Sequence, residues 1–492
     1  MVGSVPEVPW KPTGRPTPGR RPDPTEQRGP MGRADRTGST APTDFGRAGV
    51  SRVVVVGGGF AGVSLLRRLE SALPAGRAEL AVVSPVDHLL YTSLVPQVCA
   101  STVEPRHLAV ALRAVLRRTL LRLGDVVAAD LSAHTVTVRS ADATTRTVGW
   151  DRLVLAPGSV TRTLDVPGLD EHALGLKNLD EAVALRDHVL RRLELADAAD
   201  DPRRRAALCT FVVVGGGYTG TELAAQMVGF TRHAAAAYQR LRPSDVRWLL
   251  VDHAPRVLHE LAPALGHRAA RVLAGRGVEV HLGTSVVEIG AEAVTLAAGG
   301  PTVRTRTGVP THTVVWCAGV SPSPLVAALG LPTAHGRLIV DEFFRVPTAD
   351  GVFALGDAAA VPDVTRGGAP AGQTAQHAIR QGRTAARNVA ASLGYGSPRR
   401  YRHRDLGFVV DLGGRAAVAN PFGLTLSGPP AALLTRAYHL AALPAGANRV
   451  RVATDWVLNS VLGQEITHFD ESVPERAEIA TSEHTRIYQP TR

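Results

Sequence analysis

The sequence predicts an α/β protein in which one unit of parallel strands and helices is inserted into another, followed by a smaller α+β region. Two observations predict this fold class. A β-branched run leads into a Gly-x-Gly-x-x-Gly motif and a helical pattern twice, over residues 53–62 and again over 212–220. A further apolar strand over 352–355 comes after the second unit and ends in Gly356-Asp357. Because strands alternate with helices, each unit should contain a parallel sheet.

Each glycine motif has the spacing of a dinucleotide-binding turn. The first Gly permits the tight strand-to-helix turn, the second lets the backbone approach a pyrophosphate, and the third allows close helix–strand packing. The helix N-terminus adds partial positive charge. The glycines are Gly57, Gly59 and Gly62 in the first copy, and Gly215, Gly217 and Gly220 in the second. Two such motifs predict two Rossmann-like domains and two dinucleotides, which suggests redox transfer between them.

Changes in composition and pattern divide the chain into five segments. The first 48 residues are rich in Pro, Gly, Arg and Thr and lack a hydrophobic period, which predicts a disordered leader. The predicted segments are the leader over 1–48, the first dinucleotide-binding domain over 49–165 and 336–398, the inserted second domain over 166–335 with its core at about 205–320, and a C-terminal region over 399–492.

Periodicity predicts the individual elements. In the first domain these are a helix over 61–72, a strand over 79–83, a helix over 107–122 and a buried strand over 153–155. In the second domain they are a strand over 211–214, a helix over 219–230, and strands over 247–251, 278–282 and 313–316. After residue 400, short strands precede two amphipathic helices, the first over 431–443.

Composition bounds the class of protein. The 492 residues, 45% of them apolar, suffice for two or three domains with substantial cores. The formal net charge is +11, carried almost entirely by Arg, since Lys occurs only at positions 11 and 177. A basic surface suits an anionic membrane. No nucleic-acid partner is expected, because no basic stripe with interleaved aromatic residues occurs.

The three cysteines, Cys99, Cys209 and Cys317, lie far apart in the sequence. They form no Cys-x-x-Cys pair and have no zinc spacing, so no disulfide framework, redox pair or metal site is predicted. No uninterrupted apolar stretch of about 18 residues occurs, so no membrane-spanning helix is predicted. These features indicate a cytoplasmic location.

An acidic residue at the end of a second strand commonly hydrogen-bonds the adenosine ribose. Asp252 ends the strand over 248–251 and fits this role, with a solvated strand-end carboxylate as the alternative. A carboxylate there repels a 2′-phosphate and favours NADH over NADPH, although Arg256 nearby softens that preference. In the first domain the corresponding strand ends at Ser84, whose hydroxyl is a weaker ribose ligand.

The ordered motifs resemble those of type II NADH dehydrogenases, within the wider group of flavoproteins that bind two dinucleotides. Besides the two glycine motifs, the matching segments are Leu-Val-Leu-Ala-Pro-Gly-Ser at 153–159, Val-Val-Trp-Cys-Ala-Gly-Val at 314–320, Val-Phe-Ala-Leu-Gly-Asp at 352–357 and Thr-Ala-Gln-His-Ala-Ile-Arg-Gln-Gly at 374–382. The resemblance spans about residues 50–465.

The resemblance implies FAD at the first motif and NADH as the substrate at the second. It implies that Asp357 hydrogen-bonds the ribityl chain, with a helix N-cap as the alternative role. The implied cofactor-binding residues are Gly57, Gly59, Phe60, Ala61, Gly62, Ser84, Ala156, Pro157, Gly158, Gly215, Gly217, Tyr218, Thr219, Gly220, Glu222, Asp252, Ala318, Gly319, Gly356, Asp357, Ala375 and Gln376.

Three of these matches concern catalysis. The resemblance implies that Glu222 faces the nicotinamide and the flavin as a positioning residue, and the alternative is a carboxylate that stabilises the helix N-terminus. It implies a quinone site at Gln376, where the family has a second Gln four residues later. Here Arg380 stands at that position and Gln381 follows, turned by about 100° on a helix. Arg380 could instead bind a quinone carbonyl.

The implied activity is hydride transfer from NADH to FAD and then to a quinone, menaquinone or ubiquinone, without proton pumping. A second hypothesis keeps NAD(P)H and flavin but uses a non-quinone acceptor, or a sulfide:quinone-type reaction, which depends on cysteines. A third is a flavin-binding protein without turnover. Because Cys317 ends an apolar strand, an inert buried thiol is the expectation there.

The two predicted C-terminal helices are relevant to the question of membrane contact. In the family, helices here lie in the membrane interface and contribute to a homodimer. An apolar stripe with Arg and Trp at its margins suits peripheral contact on the inner face of the cell membrane. The alternative is that both helices pack on the body of the protein.

Overall fold

The computed structural model describes residues 49–299 and 305–468, so the predicted leader lies outside the described residues. The first domain contains a five-stranded parallel sheet. Its strands, in spatial order, are Val352–Ala354, Arg152–Leu155, Ser51–Val56, Ala78–Ser84 and Thr119–Leu123. Helices Phe60–Ala72 and Ala375–Ser392 pack against each other, and Gly382 is required at their contact because a Cβ there would collide with the Ala61 carbonyl.

The second domain repeats this plan. Its five parallel strands, in spatial order, are Ala173–Leu174, Val314–Trp316, Thr210–Val214, Arg247–Asp252 and Val278–Leu282. Its main helices are Leu179–Ala198, Tyr218–Ala235 and Pro263–Gly275. All five strands fall in the sequence between two neighbouring strands of the first sheet, which confirms the predicted α/β fold class with one unit inserted in the other.

Smaller elements complete the two domains. Three-stranded antiparallel sheets are formed by Asp125–Asp130, Thr135–Arg139 and Thr145–Gly149, and by Thr284–Ile289, Ala293–Ala298 and Thr305–Pro310. The remaining ladders are Ser159–Thr161 with Val320–Pro322, His88–Leu90 with Ala109–Ala111, and Thr333–Ala334, Arg337–Ile339 and Ala359–Ala360. Short helices lie at Val95–Cys99, Pro105–Leu108, Leu112–Val115, Leu169–His172, Pro202–Leu208 and Leu325–Ala328.

The predicted helix over 107–122 is wrong. Its last four residues belong to the edge strand Thr119–Leu123, which pairs in parallel with Ala78–Ser84. The carboxylate of Glu70 accepts hydrogen bonds from the backbone N–H groups of Arg117 at 3.1 Å and Arg118 at 2.9 Å. Since these N–H groups are held by a distant side chain, they cannot continue a helix, and sheet pairing overrides the local helical pattern.

The C-terminal region matches the prediction of short strands followed by two helices. The strands are Val409–Asp411, Ala417–Ala419 and Leu426–Ser427, and the helices are Pro429–Ala442 and Gly446–Leu462. Val410, Leu412 and Val452 join the apolar core of the second domain. Within the described ranges, no helix has the length and apolar character needed to cross a membrane.

Candidate active site

The two glycine turns have nearly the same backbone conformation. Gly57 has φ +107° and Gly215 has φ +113°, a region that side chains with a Cβ rarely adopt. A Cβ on Gly57 would collide with the carbonyl of Ala156, and one on Gly215 with the carbonyl of Cys317. Each turn is therefore built against the end of the neighbouring strand, where only glycine fits.

The middle glycines face open space. No heavy atom lies within 4 Å of the position that a Cβ would take on Gly59 or Gly217, and each caps the N-terminus of the helix that follows. Neither helix carries an acidic residue in its first turn. Uncompensated N–H groups beside an open space are suited to a pyrophosphate.

The residues that end the second strands occupy equivalent places in the two domains. Asp252 is only 7% exposed, so it is not a solvated carboxylate. It accepts hydrogen bonds from the backbone N–H groups of Gly216 and, at 2.7 Å, Ala254. Ser84 is 2% exposed, and its Oγ lies 2.8 Å from the Cβ position of Gly58. A hydroxyl therefore stands in the first domain where a carboxylate stands in the second.

A short antiparallel ladder joins the two segments that follow the strand ends on which the glycine turns pack. Ser159–Thr161 pairs with Val320–Pro322, directly after the Ala156-Pro157-Gly158 and Ala318-Gly319 segments. The N–H of Ser323 donates to the carbonyl of Gly158 at 3.0 Å. This ladder brings the strand ends of both domains to one place, as transfer between two bound dinucleotides requires.

Asp357 belongs to a series of hydrogen-bonded side chains that the sequence did not predict. It lies in a short turn, Gly356–Ala358, while Thr374 is the N-cap of helix Ala375–Ser392, which excludes the N-cap role for Asp357. The Ser159 hydroxyl donates to Asp357 Oδ2 at 2.7 Å, and Lys177 Nζ donates to Ser159 Oγ at 3.0 Å. The carboxylate is thus held in place beside a cation.

Glu222 is buried and paired with a residue of the C-terminal region. The backbone N–H of Asp411 donates to Glu222 Oε1 at 2.8 Å. Burial raises the pKa of Glu222 well above its usual range, an effect that this hydrogen bond opposes and the Asp411 carboxyl reinforces. Burial also raises the pKa of Asp411. Burial therefore makes ionisation of both carboxyl groups harder than it is in water.

Asp411 extends this contact to the last helix. Gln97 Nε2 donates to Asp411 Oδ2 at 2.7 Å, and Trp456 Nε1 donates to Gln97 Oε1 at 2.7 Å. These partners could not be predicted from the sequence, because they come from segments more than 300 residues apart.

Gln376 and Arg380 lie together on one face of their helix. Arg380 donates to Gln376 Oε1 at 3.0 Å, and Gln376 Nε2 donates to the carbonyl of Gly407 at 2.9 Å. Gln381 is buried and accepts a hydrogen bond from the N–H of Gly356 at 2.7 Å. Gln381 thus supports the turn that carries Asp357. The side chain that contacts Gln376 is that of Arg380, not that of Gln381.

Two further residues were missed because they come from distant segments. Tyr91 packs edge-on against Phe60 with ring centroids 5.9 Å apart, and its hydroxyl lies 3.0 Å from His439 Nδ1. His439 is buried in helix Pro429–Ala442, and burial lowers its pKa to about 4. The start of the first-domain helix is therefore tied to the C-terminal region.

All three cysteines are free thiols. Burial raises the pKa of Cys317 to about 12 and that of Cys99 further still. A thiol held in this state is a poor nucleophile. Among the described residues, no group of three or more His, Cys, Asp or Glu side chains is placed to hold a metal ion.

Comparison with known proteins gives consistent relationships. Residues 51–382 match the pyridine nucleotide-disulphide oxidoreductase family. The chain is 30% identical over 419 residues to type II NADH:quinone oxidoreductase Ndh of Mycobacterium tuberculosis, covering 83% of this chain and 87% of the relative. It is 32% identical over 423 residues to NdhA of the same organism, with the same coverage. Demethylphylloquinone reductase NdbB of Synechocystis is 29% identical, with 82% and 95% covered.

A solved structure shares the fold. NDH2 from Plasmodium falciparum in complex with NADH superimposes with a TM-score of 0.78 at 15% identity, covering 85% of this chain and 99% of that chain. Two glycine turns, packed on strand ends that continue into one shared ladder, are typical of an oxidoreductase of the two-dinucleotide class. The chain belongs to the pyridine nucleotide-disulphide oxidoreductase family, and within it to the type II NADH:quinone oxidoreductases.

Proposed function

We propose that this enzyme takes a hydride from NADH to FAD and passes the electrons to a quinone. The observation that carries the proposal is the pair of open glycine turns, each packed on a strand end that continues into one shared ladder, in a chain whose relatives are named NADH:quinone oxidoreductases. The open cradle at Gly59 and the held carboxylate of Asp357 fit FAD. When bound, the flavin supplies an N5 atom that accepts hydride from nicotinamide C4.

The protein's own residues bind and orient both dinucleotides. The turn at Gly57 to Gly62 would bind the FAD pyrophosphate, and Asp357, fixed by Ser159, would accept from a ribityl hydroxyl. The turn at Gly215 to Gly220 would bind the NADH pyrophosphate. Asp252 sits at the edge of that turn, where its buried carboxylate disfavours the extra phosphate of NADPH.

The site at which electrons pass to the quinone is proposed at Gln376 and Arg380. Their mutual hydrogen bond leaves guanidinium donors for a quinone carbonyl, menaquinone or ubiquinone, and such donors stabilise developing negative charge on oxygen. The buried cysteines, with raised pKa values, do not favour a sulfide:quinone-type reaction. A non-quinone acceptor is the competing function.

Stopped-flow spectroscopy tests the sequence of steps. NADH should bleach the flavin under anaerobic conditions, and a soluble menaquinone or ubiquinone analogue should restore its absorbance. We expect Gln376→Ala and Arg380→Ala to slow reoxidation at least about tenfold and leave bleaching unchanged. Arg383→Ala, an exposed position one turn further along the same helix, is the matched control.

Three outcomes would contradict the proposal. Absence of bleaching would leave only a binding role. Bleaching without reoxidation by either quinone would support a different acceptor. Reoxidation as fast in Gln376→Ala and Arg380→Ala as in Arg383→Ala would refute the quinone assignment to these two residues.

We further propose that the last helix attaches the enzyme peripherally to the inner face of the cell membrane. Its polar face packs on the body: Asp455 accepts from the N–H of Glu104 at 3.1 Å, and Asn459 Nδ2 donates to the carbonyl of Thr102 at 3.2 Å. Its apolar face is exposed, and Val461 is 75% exposed. A helix with this arrangement has the amphipathic character of an interfacial segment.

Sedimentation with lipid vesicles tests this surface. Val457→Asp with Val461→Asp should abolish vesicle binding, and Ser460→Asp, an exposed polar position to the side of the apolar face, should weaken it far less. If instead the same apolar face forms the proposed homodimer, sedimentation velocity will show that the double variant is monomeric while vesicle binding persists.

A further inference from the structure

A pocket lined by arginines lies beside the contact between helices Phe60–Ala72 and Ala375–Ser392. Its volume is about 660 Å³, and its arginines are Arg67, Arg68, Arg380, Arg383, Arg387 and Arg402. The rest of the lining consists of the hydroxyl-bearing Ser64 and Thr384. Among the residues that the structure describes, the lining contains no carboxylate and no apolar side chain.

The positive charge of this pocket is uncompensated. Elsewhere arginines have carboxylate partners, such as Arg247 with Glu279 at 2.9 Å and Arg400 with Glu342 at 2.7 Å. Within residues 49–299 and 305–468, none of the six pocket arginines forms an ion pair with a carboxylate. Arg383 and Arg387 are four residues apart on one helix, a spacing at which like charges repel. A bound anion would remove this repulsion.

The donor chemistry specifies the kind of anion. Guanidinium groups present planar pairs of N–H donors that match the oxygens of phosphate, and two hydroxyls add further donors. The volume exceeds what a single phosphate fills and lies in the range of ordinary ligand pockets. We propose that this pocket binds a ligand carrying closely spaced phosphate groups, supplied either by an anionic phospholipid headgroup or by a soluble diphosphate.

This site is separate from both dinucleotide sites. The dinucleotide pyrophosphates belong at the helix N-termini, next to Gly59 and Gly217. Arg67 and Arg68 lie about two turns further along the first helix, roughly 10 Å from its start. Arg380 also lines the pocket, so the bound anion lies one side chain away from Gln376.

Calorimetric titration with inorganic pyrophosphate tests the soluble source. The FAD-loaded enzyme is saturated with NAD⁺, so that the second glycine turn is occupied. The pocket variant is Arg383→Ala with Arg387→Ala, and the matched control is Arg203→Ala with Arg204→Ala, which removes two exposed charges from another helix. We expect pyrophosphate affinity to fall at least about tenfold in the pocket variant and to stay within about twofold in the control.

Sedimentation with phosphatidylcholine vesicles, with and without cardiolipin, whose headgroup carries two phosphates, tests the lipid source using the same variants. Loss of only the cardiolipin-dependent binding in the pocket variant identifies a headgroup, and loss of only pyrophosphate binding identifies a soluble ligand. The proposal is overturned if neither probe binds the wild type, or if both variants lose binding equally. NADH-dependent bleaching should be unchanged in the pocket variant, which separates this result from any failure of the proposed function.

Discussion

At the scale of single residues, the buried Glu222 and the half-buried Asp411 form a pair of carboxyl groups from two different parts of the chain. The resemblance of the segment after Gly220 to type II NADH dehydrogenases pointed to Glu222. The sequence could not identify Asp411, because nothing near that residue in the sequence distinguishes it from a surface aspartate. Only the packing of strand Val409–Asp411 on helix Tyr218–Ala235 creates the pair.

The raised pKa of Glu222 predicts a pH-dependent stability. Because the folded protein holds this proton more tightly than the unfolded chain, the stabilisation is complete below the ordinary glutamate pKa. It is lost progressively as the pH rises toward the raised value. We expect Glu222→Gln, which keeps the acceptor for the Asp411 N–H, to flatten the fall of the unfolding midpoint between pH 5 and pH 9. Curves parallel to those of the exposed control Glu171→Gln would contradict this.

Alanine substitutions at the middle glycines of the two motifs, Gly59 and Gly217, should affect different dinucleotides. Both have extended backbone angles that alanine accepts, and neither Cβ would touch the protein, so both variants should fold. Gly59→Ala should weaken FAD retention at least about tenfold without changing the KM for NADH. Gly217→Ala should raise that KM by a similar factor with full flavin content. Flavin absorbance and steady-state kinetics measure both, and an effect on the opposite dinucleotide would reverse the assignment.

At the scale of secondary-structure elements, the sequence predicted most of what local pattern determines. Both helices after the glycine motifs and both C-terminal helices form. The failure over 107–122 has a physical cause, since Glu70 and the free edge of the first sheet compete with helix formation there. The contacts of the polar side of the last helix could not be predicted either, because its partners lie in the distant segment 97–107.

Asp455 should anchor the last helix. It accepts hydrogen bonds from the N–H of Glu104 and from His107 Nδ1, the latter at 2.6 Å. Asp455→Ala leaves these donors unpaired, which should cost about 1–3 kcal/mol in local stability. Hydrogen exchange measured by mass spectrometry should then show faster exchange over Gly446–Leu462. The exposed control Thr454→Ala should not, and unchanged protection in Asp455→Ala would refute the anchoring role.

At the scale of the whole molecule, the order of the motifs along the chain predicted the architecture and the family. Glycine spacing constrains the backbone so tightly that it can be recognised without a structure. The long-range side-chain contacts have no such local signature, and they include Lys177 with Ser159 and Tyr91 with His439. These contacts join the C-terminal region and both domains into one site.

One buried and two half-buried histidines predict the acid limit of stability. Burial lowers the pKa of His188 to about 3 and those of His377 and His439 to about 4. Since the unfolded chain binds these protons near pH 6.5, stability should fall as the pH drops from about 6.5 toward 4. His439→Gln should reduce the slope of the unfolding midpoint against pH in this window. The exposed control His253→Gln should not, and equal slopes would contradict the prediction.

Lys177 has a consequence for labelling chemistry. It and Lys11 are the only lysines in the sequence, and Lys177 lies beside the Ser159–Asp357 contact. An amine-acylating reagent therefore has very few targets in this chain, and one of them adjoins the proposed flavin seat. Acylation of Lys177 should slow when the enzyme is loaded with FAD, as peptide mass spectrometry would measure. The scarcity of lysine makes this amine a built-in chemical reporter of cofactor occupancy.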